Sequence, residues 1–184
     1  TLGRLVAVKV DDQPQASYTF TYNLADLLTT RVDGTGRGFA YNYDASGHLI
    51  LQQNVLTKDS VSYTYDTRGQ LISQISPLGS VTTYEYNDPV DPTRLTAVIT
   101  AAGREQFAWD DSKSTVTYND PRGNQTVYTF DGLGELWKVA APLGRTYQLT
   151  YDEAGGLTGW QVQEGSSSRS IKLSNDFAKN QIAV

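Results

Sequence analysis

The chain has 184 residues, 20 acidic and 15 basic, for a net charge of −5. The basic residues are scattered, which argues against nucleic acid because phosphate neutralisation needs clustered Lys and Arg. No apolar stretch approaches the roughly 20 residues that span a bilayer, and no signal peptide opens the chain. Cysteine is absent, which excludes disulfides, thiolate nucleophiles and cysteine-based metal sites and leaves the redox compartment open. Methionine is absent too, position 1 included. The segment is therefore expected to be processed or cut from something longer, as an excised repeat block.

A beat is already running at Gly3-Arg4-Leu5. An aromatic followed by an acid or amide then returns at Tyr22-Asn23, Tyr43-Asp44, Tyr65-Asp66, Tyr86-Asn87, Trp109-Asp110, Phe130-Asp131 and Tyr151-Asp152, at gaps of 21, 22, 21, 23, 21 and 21 residues. A period held that tightly means one structural unit stacked many times. Four units continue as Asp-x-x-Gly-x-Leu, through Asp44, Gly47 and Leu49, then Asp66, Gly69 and Leu71, then Asp131, Gly134 and Leu136, and finally Asp152, Gly155 and Leu157. Asp can hydrogen-bond the backbone two residues on, and Gly accepts the positive φ that closes a type I turn with a bulge. Each of these is read as a hairpin tip.

The strands leading in alternate, as in Tyr63-Thr64-Tyr65, Tyr84-Glu85-Tyr86, Phe107-Ala108-Trp109, Tyr128-Thr129-Phe130 and Leu149-Thr150-Tyr151. Residues two apart share a face, so the aromatics line one side and are expected to ladder with one another across strands. A second turn falls at Pro77-Leu78-Gly79, Pro121-Arg122-Gly123 and Pro142-Leu143-Gly144, with Gly36 and Gly103 in comparable places. Two units depart from the pattern. Residues 86–95 replace the short turn with a longer loop carrying Pro89 and Pro92, and Trp109-Asp110 leads into a stretch without glycine. Gly165 to Ser168 reads as a flexible joint, and the tail through Asn175-Asp176 to Val184 as at most a degenerate repeat.

The consensus Tyr-Asp-x-x-Gly-x-Leu, then Pro-x-Gly, then x-Thr-x-Tyr-x-Tyr-Asp resembles the YD repeat of Rhs proteins and their relatives: the C component of Tc toxins, wall-associated toxins and teneurins. The resemblance spans about residues 3 to 160 and is strongest from Tyr65 through Pro77 and Gly79 to Tyr86. It implies a β-sheet ribbon that winds into a hollow shell, which in bacterial members encloses a C-terminal toxin. It also implies a secreted or cell-surface location and, as partners, the remaining repeats of the parent shell and the enclosed toxin domain. The chain departs from the full pattern in two ways. About eight repeats are too few to close a toxin-sized chamber, and the Asp-Pro-x-Gly-Leu-type core motif is missing. Asp120-Pro121-Arg122-Gly123 comes nearest, but it sits at an ordinary turn and lacks the following Leu.

Other candidate chemistry reads as turn chemistry. His48, the single histidine, has only Ser46 and Asp44 near it in sequence, short of a positioned nucleophile and orienting group, and is read as facing solvent. The acid pairs Asp11-Asp12, Asp88 with Asp91, and Asp110-Asp111 do not converge from neighbouring strand positions, and no calcium-loop pattern surrounds them. Gly34-Thr35-Gly36-Arg37-Gly38 lacks the Lys-Ser/Thr ending of a phosphate loop. The expectation is an all-β chain of antiparallel hairpins forming a curved ribbon over residues 1–164, with a joint and tail over 165–184. No catalytic, cofactor-binding or metal residues are assigned. The alternative is a surface module whose aromatic face binds target-cell carbohydrate or a protein.

Overall fold

The computed structural model describes residues 3–9, 17–176 and 181–183. The chain divides into two compact units, Thr1–Tyr84 and Glu85–Val184. The first holds β1 (Ala7–Val8), β2 (Tyr18–Tyr22), β3 (Leu28–Asp33), β4 (Gly38–Tyr43), β5 (Leu49–Asn54), β6 (Ser60–Tyr65), β7 (Leu71–Ile75) and β8 (Val81–Glu85). Each strand pairs antiparallel with the next in the chain.

The second unit repeats that meander. Its strands are β9 (Ala97–Thr100), β10 (Gly103–Asp110), β11 (Thr115–Asn119), β12 (Gln125–Phe130), β13 (Leu136–Ala140), β14 (Thr146–Tyr151), β15 (Leu157–Glu164) and β16 (Ser167–Lys172). They too pair antiparallel in chain order. A separate two-stranded ladder joins β17 (Ser174–Asp176) to β18 (Gln181–Ala183). Antiparallel neighbours are the connection that short loops permit, and most of the loops here are two to five residues long. The all-β reading therefore holds.

Register slips recur at the aromatic of five of the seven pairs: between Thr21 and Tyr22, Asn42 and Tyr43, Thr64 and Tyr65, Thr129 and Phe130, and Thr150 and Tyr151. One extra residue on the outgoing strand makes a bulge there, so Tyr43 faces Leu49 and Tyr65 faces Leu71. Gly47, Gly69, Gly134 and Gly155 take φ between 78° and 88°, the left-handed conformation that the turn requires.

The segment read as a flexible joint is ordered differently. Gly165, at φ 58°, turns the chain so that Glu164 pairs with Ser167 and Val162 with Arg169. Pairing context outweighs intrinsic preference in sheets, so the Ser-rich run of β16 became a strand once a glycine turn placed it beside β15.

Each unit is a single antiparallel layer. Among the described residues, the buried apolar side chains are Ala97 and Val116, at 0% and 8% exposed. Ordinary domains bury a sheet's apolar face against a second layer. Here stability within a unit rests on ladders, turns and contacts between consecutive hairpins.

Candidate functional site

The recurring feature is the hairpin tip and its grip on the next hairpin. At Asp44 the side-chain Oδ1 accepts the N–H groups of Ser46 and His48, both at 2.9 Å, while the Asp44 carbonyl accepts the Gly47 N–H at 3.1 Å. Asp66 does the same for Arg68 and Gln70, Asp131 for Leu133 and Glu135, and Asp152 for Ala154 and Gly156. The negative charge collects two orphan amides, which is why aspartate recurs. The bonds from His48, backbone first and ring second, hold the Asp44 carboxyl below its usual range.

Asn23 runs this turn with an amide oxygen, receiving Ala25 and Leu27 N–H at 3.0 Å each, and Asp26 takes the glycine position at φ 65°. The turns on the opposite margin reuse the device. Asp33 accepts Thr35 and Arg37 N–H, and Asp120 accepts Arg122 and Asn124 N–H. Thr35 and Asn124 side chains, respectively, lower these two carboxyls. Asp120-Pro121-Arg122-Gly123 is therefore an ordinary turn, its carboxylate engaged by the backbone.

Consecutive hairpins are joined by the tyrosine hydroxyl. Tyr43 donates to the Leu28 carbonyl at 2.8 Å, Tyr65 to Leu49 at 2.8 Å and Tyr151 to Leu136 at 2.7 Å. Tyr22 donates to Leu5 at 2.9 Å, and Trp109 reaches Leu95 through Nε1 at 3.0 Å. Leu49, Leu71, Leu136 and Leu157 are the first residues of β5, β7, β13 and β15. At the first strand position, Leu49 and Leu136 present carbonyls outside the following ladder, free to accept the bond. Burial raises the hydroxyl pKa of Tyr43, Tyr65 and Tyr151, so each stays protonated and able to donate.

This replaces the expected aromatic ladder. Among the described residues, ring contacts occur at Phe107–Tyr118, with centroids 5.4 Å apart, and at His48–Tyr65, 4.8 Å apart. At three places the residue just before the tip's leucine instead covers the next unit's ring. His48 stacks on Tyr65, Arg4 lies over Tyr22 at 5.5 Å, and Arg94 over Trp109 at 5.2 Å.

His48 is thus not a solvent-facing turn residue. Its side chain is 35% exposed, Nδ1 lies 3.0 Å from Asp44 Oδ2, and a Cβ on Gly69 would stand 2.7 Å from its Nε2. Gly155 is crowded likewise by Glu135 of the preceding hairpin, at 2.9 Å. At Gly69 and Gly155 the tip glycine therefore supplies both a positive φ and room for the previous unit. This second role is invisible in sequence, because it depends on which residue the preceding tip aims at it.

Phe130 lacks the hydroxyl, and its N–H donates to the Ser114 carbonyl at 2.9 Å, so the ladder itself makes the junction. The turn before it, without glycine, places Ser114 at φ 50°.

The acid pairs are consumed by structure. Asp88 Oδ1 accepts the Val90 and Asp91 N–H groups, and Asp91 accepts both the N–H and the hydroxyl of Thr93. Asp111 receives a bidentate bond from Arg94 at 2.8 and 3.1 Å. Asp110 meets Lys113 Nζ at 2.6 Å and the Ser112 hydroxyl, bonds that lower its pKa to about 2, with Lys113 the larger cause. Asp11 and Asp12 lie outside the described residues. Gly34 to Gly38 is the Asp33 turn followed by β4. Among the described residues no cluster of three or more acidic or histidine side chains is arranged to hold a metal, and no helix is long and apolar enough to cross a membrane.

The family model for the RHS Repeat matches residues 65–105. A protein of Burkholderia cenocepacia (strain H111) named Double-stranded DNA deaminase toxin A is 29% identical over 140 residues, covering 76% of this chain and 10% of its own length. The Probable deoxyribonuclease RhsB of Dickeya dadantii (strain 3937) is 29% identical over 157 residues, covering 85% and 9%. The chain therefore spans about a tenth of the length of the curated relatives it matches. Among solved structures it is similar to the TcdB2-TccC3-Cdc42 crystal structure, with TM-score 0.51, 16% identity, and 90% of this chain over 11% of that one. The Tc holotoxin pore of Photorhabdus luminescens gives TM-score 0.50 at 17% identity, over 91% and 11%. At such identities the likeness is one of fold. The Tyr-Asp-x-x-Gly repeat, the antiparallel hairpin meander and these matches together make the chain similar to Rhs/YD-repeat proteins, with an RHS Repeat at residues 65–105.

Proposed function

We propose that the chain is a wall segment of an Rhs/YD-type shell that encloses or carries a toxin domain lying elsewhere in a secreted parent protein, and that the segment does no chemistry itself. The observation that carries this reading is the repetition of one clamp, Tyr hydroxyl to the preceding Leu carbonyl, along a single-layer sheet. Its acids serve turns and ion pairs instead of converging on a site. The motif residues, from Tyr43, Asp44, Gly47 and Leu49 to Tyr151, Asp152, Gly155 and Leu157, are architectural in this reading. The relatives' names attach to proteins about ten times longer than the matched region, so their deaminase and nuclease activities are assigned to other parts of those chains.

The test is limited proteolysis of the parent protein, intact and with one repeat (residues 44–65) removed. The toxin domain is expected to resist protease in the intact protein and to be cut when the wall is shortened. Equal cutting in both, or loss of toxin activity in a folded Asp44→Asn protein, contradicts the reading.

One observation favours a binding role beside it. A groove of about 530 Å³ over β14 to β16 places Tyr147 and Trp160 beside Arg145, Glu164 and Arg169. With Arg145 bonded to Glu164 at 2.8 Å, the two rings and these polar groups suit a sugar, which the same protein would reveal on a glycan array.

A further inference from the structure

Strands β10, β11 and β12 raise aromatic rings on one face of the second unit. Phe107 pairs with Tyr118, and Val116 pairs with both Trp109 and Tyr128. Cross-strand partners share a face, and Phe130, two residues beyond Tyr128, joins them. The five rings stand around a cup of about 420 Å³, within the roughly 300–1,000 Å³ of small-molecule sites. Its floor is Val116, 8% exposed, while Trp109 at the wall is 39% exposed, so the cup is open to solutes.

Aromatic faces are negative and attract cations. Trp109 already carries one, the Arg94 guanidinium, 5.2 Å from its ring. Glu105, two residues before Phe107, points to the face of the cup. It lies against the Tyr118 hydroxyl, whose pKa is raised by burial first and by this carboxylate next, with Asp120 adding to the effect. Glu85 and Glu164 are paired with Arg104 and Arg145, but Glu105 has no ion pair among the described residues. Arg94 and Lys113 are bonded to Asp111 and Asp110, so neither neutralises it.

Aromatic walls beside an unpaired carboxylate suit a cation whose charge is spread over methyl groups. A bare ammonium is too strongly hydrated to enter such walls. The acids around the cup and the net charge of −5 also count against a bilayer surface, whose anionic lipids attract basic segments.

We propose that this cup binds a free quaternary ammonium solute of the choline class, its methyl groups among the rings and its charge facing Glu105. The site goes beyond the wall-segment reading, and it shares no lining residue with the groove over β14 to β16.

The experiment is a titration of the 184-residue chain with choline chloride, followed by NMR through the Trp109 indole N–H. That N–H is bonded to the Leu95 carbonyl at 3.0 Å, so it is shielded from exchange while its ring lines the cup. Choline is expected to shift the signal to saturation, where sodium chloride at equal concentration does not. The neutral isostere 3,3-dimethyl-1-butanol, which has the same shape without the charge, should bind about tenfold more weakly. Glu105→Gln should weaken choline several-fold and leave the alcohol unchanged. Tyr128→Leu keeps the cup apolar but removes a ring, and should weaken choline more than the alcohol. Circular dichroism checks the fold of both variants.

The absence of a saturable choline shift overturns the site. An alcohol that binds as tightly as choline, or choline binding unchanged by Glu105→Gln, overturns the cation and leaves a merely apolar cup. Co-sedimentation with phosphatidylcholine vesicles that Glu105→Gln abolishes overturns the free solute by assigning the cup to a lipid headgroup. The isostere comparison needs no variant, so a poorly folded Tyr128→Leu protein does not remove the test.

Discussion

Gly38→Ala is expected to destabilise the first unit by about 3 kcal/mol or more, the range of substitutions that force backbone apart. Gly38 opens β4 opposite Val32 of β3, and a Cβ there would overlap the carbonyl oxygen of Arg31 and stand 2.7 Å from the Val32 Cα. Both obstacles are backbone, so no side-chain rotation relieves them, and the β3–β4 ladder must open. The Gly38 carbonyl also accepts the Val55 N–H at 3.0 Å, so the disturbance reaches the following hairpin. Gly36→Ala is the control. It has φ 81° but open space around its Cβ position, and should cost only about 1–2 kcal/mol. Urea denaturation followed by circular dichroism checks the pair, and equal losses at the two positions contradict the close-approach argument.

The second large effect falls on the hydroxyl clamp. Tyr65→Phe keeps the ring that His48 covers but removes the donor to the Leu49 carbonyl. Deleting one partner leaves a half-buried acceptor unsatisfied, at a cost of about 1–2 kcal/mol. Tyr43→Phe and Tyr151→Phe should cost similar amounts, since their bonds are 2.8 and 2.7 Å long. The reverse change, Phe130→Tyr, should gain almost nothing, because the Phe130 N–H already makes that junction through Ser114. The same denaturation series reads this contrast. A stabilising Phe130→Tyr, or a neutral Tyr65→Phe, would show that rings alone join the repeats.

These two features mark where the sequence was legible and where it was not. The turns were legible because Asp and Gly act locally: Asp44 and Gly47 reach only their own four-residue turn. Strand alternation was legible for the same reason. The clamp was not, because its acceptor is a main-chain carbonyl that every residue possesses, and only the register between hairpins exposes the one at Leu49. Nor was the ring cover at Arg4, His48 and Arg94, two guanidiniums and an imidazole that share only the position before a leucine. The Asn23 turn hid because Asp26 bears the left-handed φ in place of glycine, which a short polar residue tolerates. Ser167 and Ser168 misled because composition suggested flexibility, while the ladder to β15 outweighed it.

Hydrogen exchange of the chain, followed residue by residue by NMR, probes the hairpin array most directly. Slow exchange should recur every 21 to 23 residues, with the Gly47, Gly69, Gly134 and Gly155 amides protected through their bonds to Asp carbonyls and the Gly132 amide, which Asp131 does not hold, protected less than the Gly134 amide. Uniform exchange along the chain, or fast exchange at those four glycines beside slow exchange at the tip residues between, would contradict a fold built from repeated, mutually clamped hairpins.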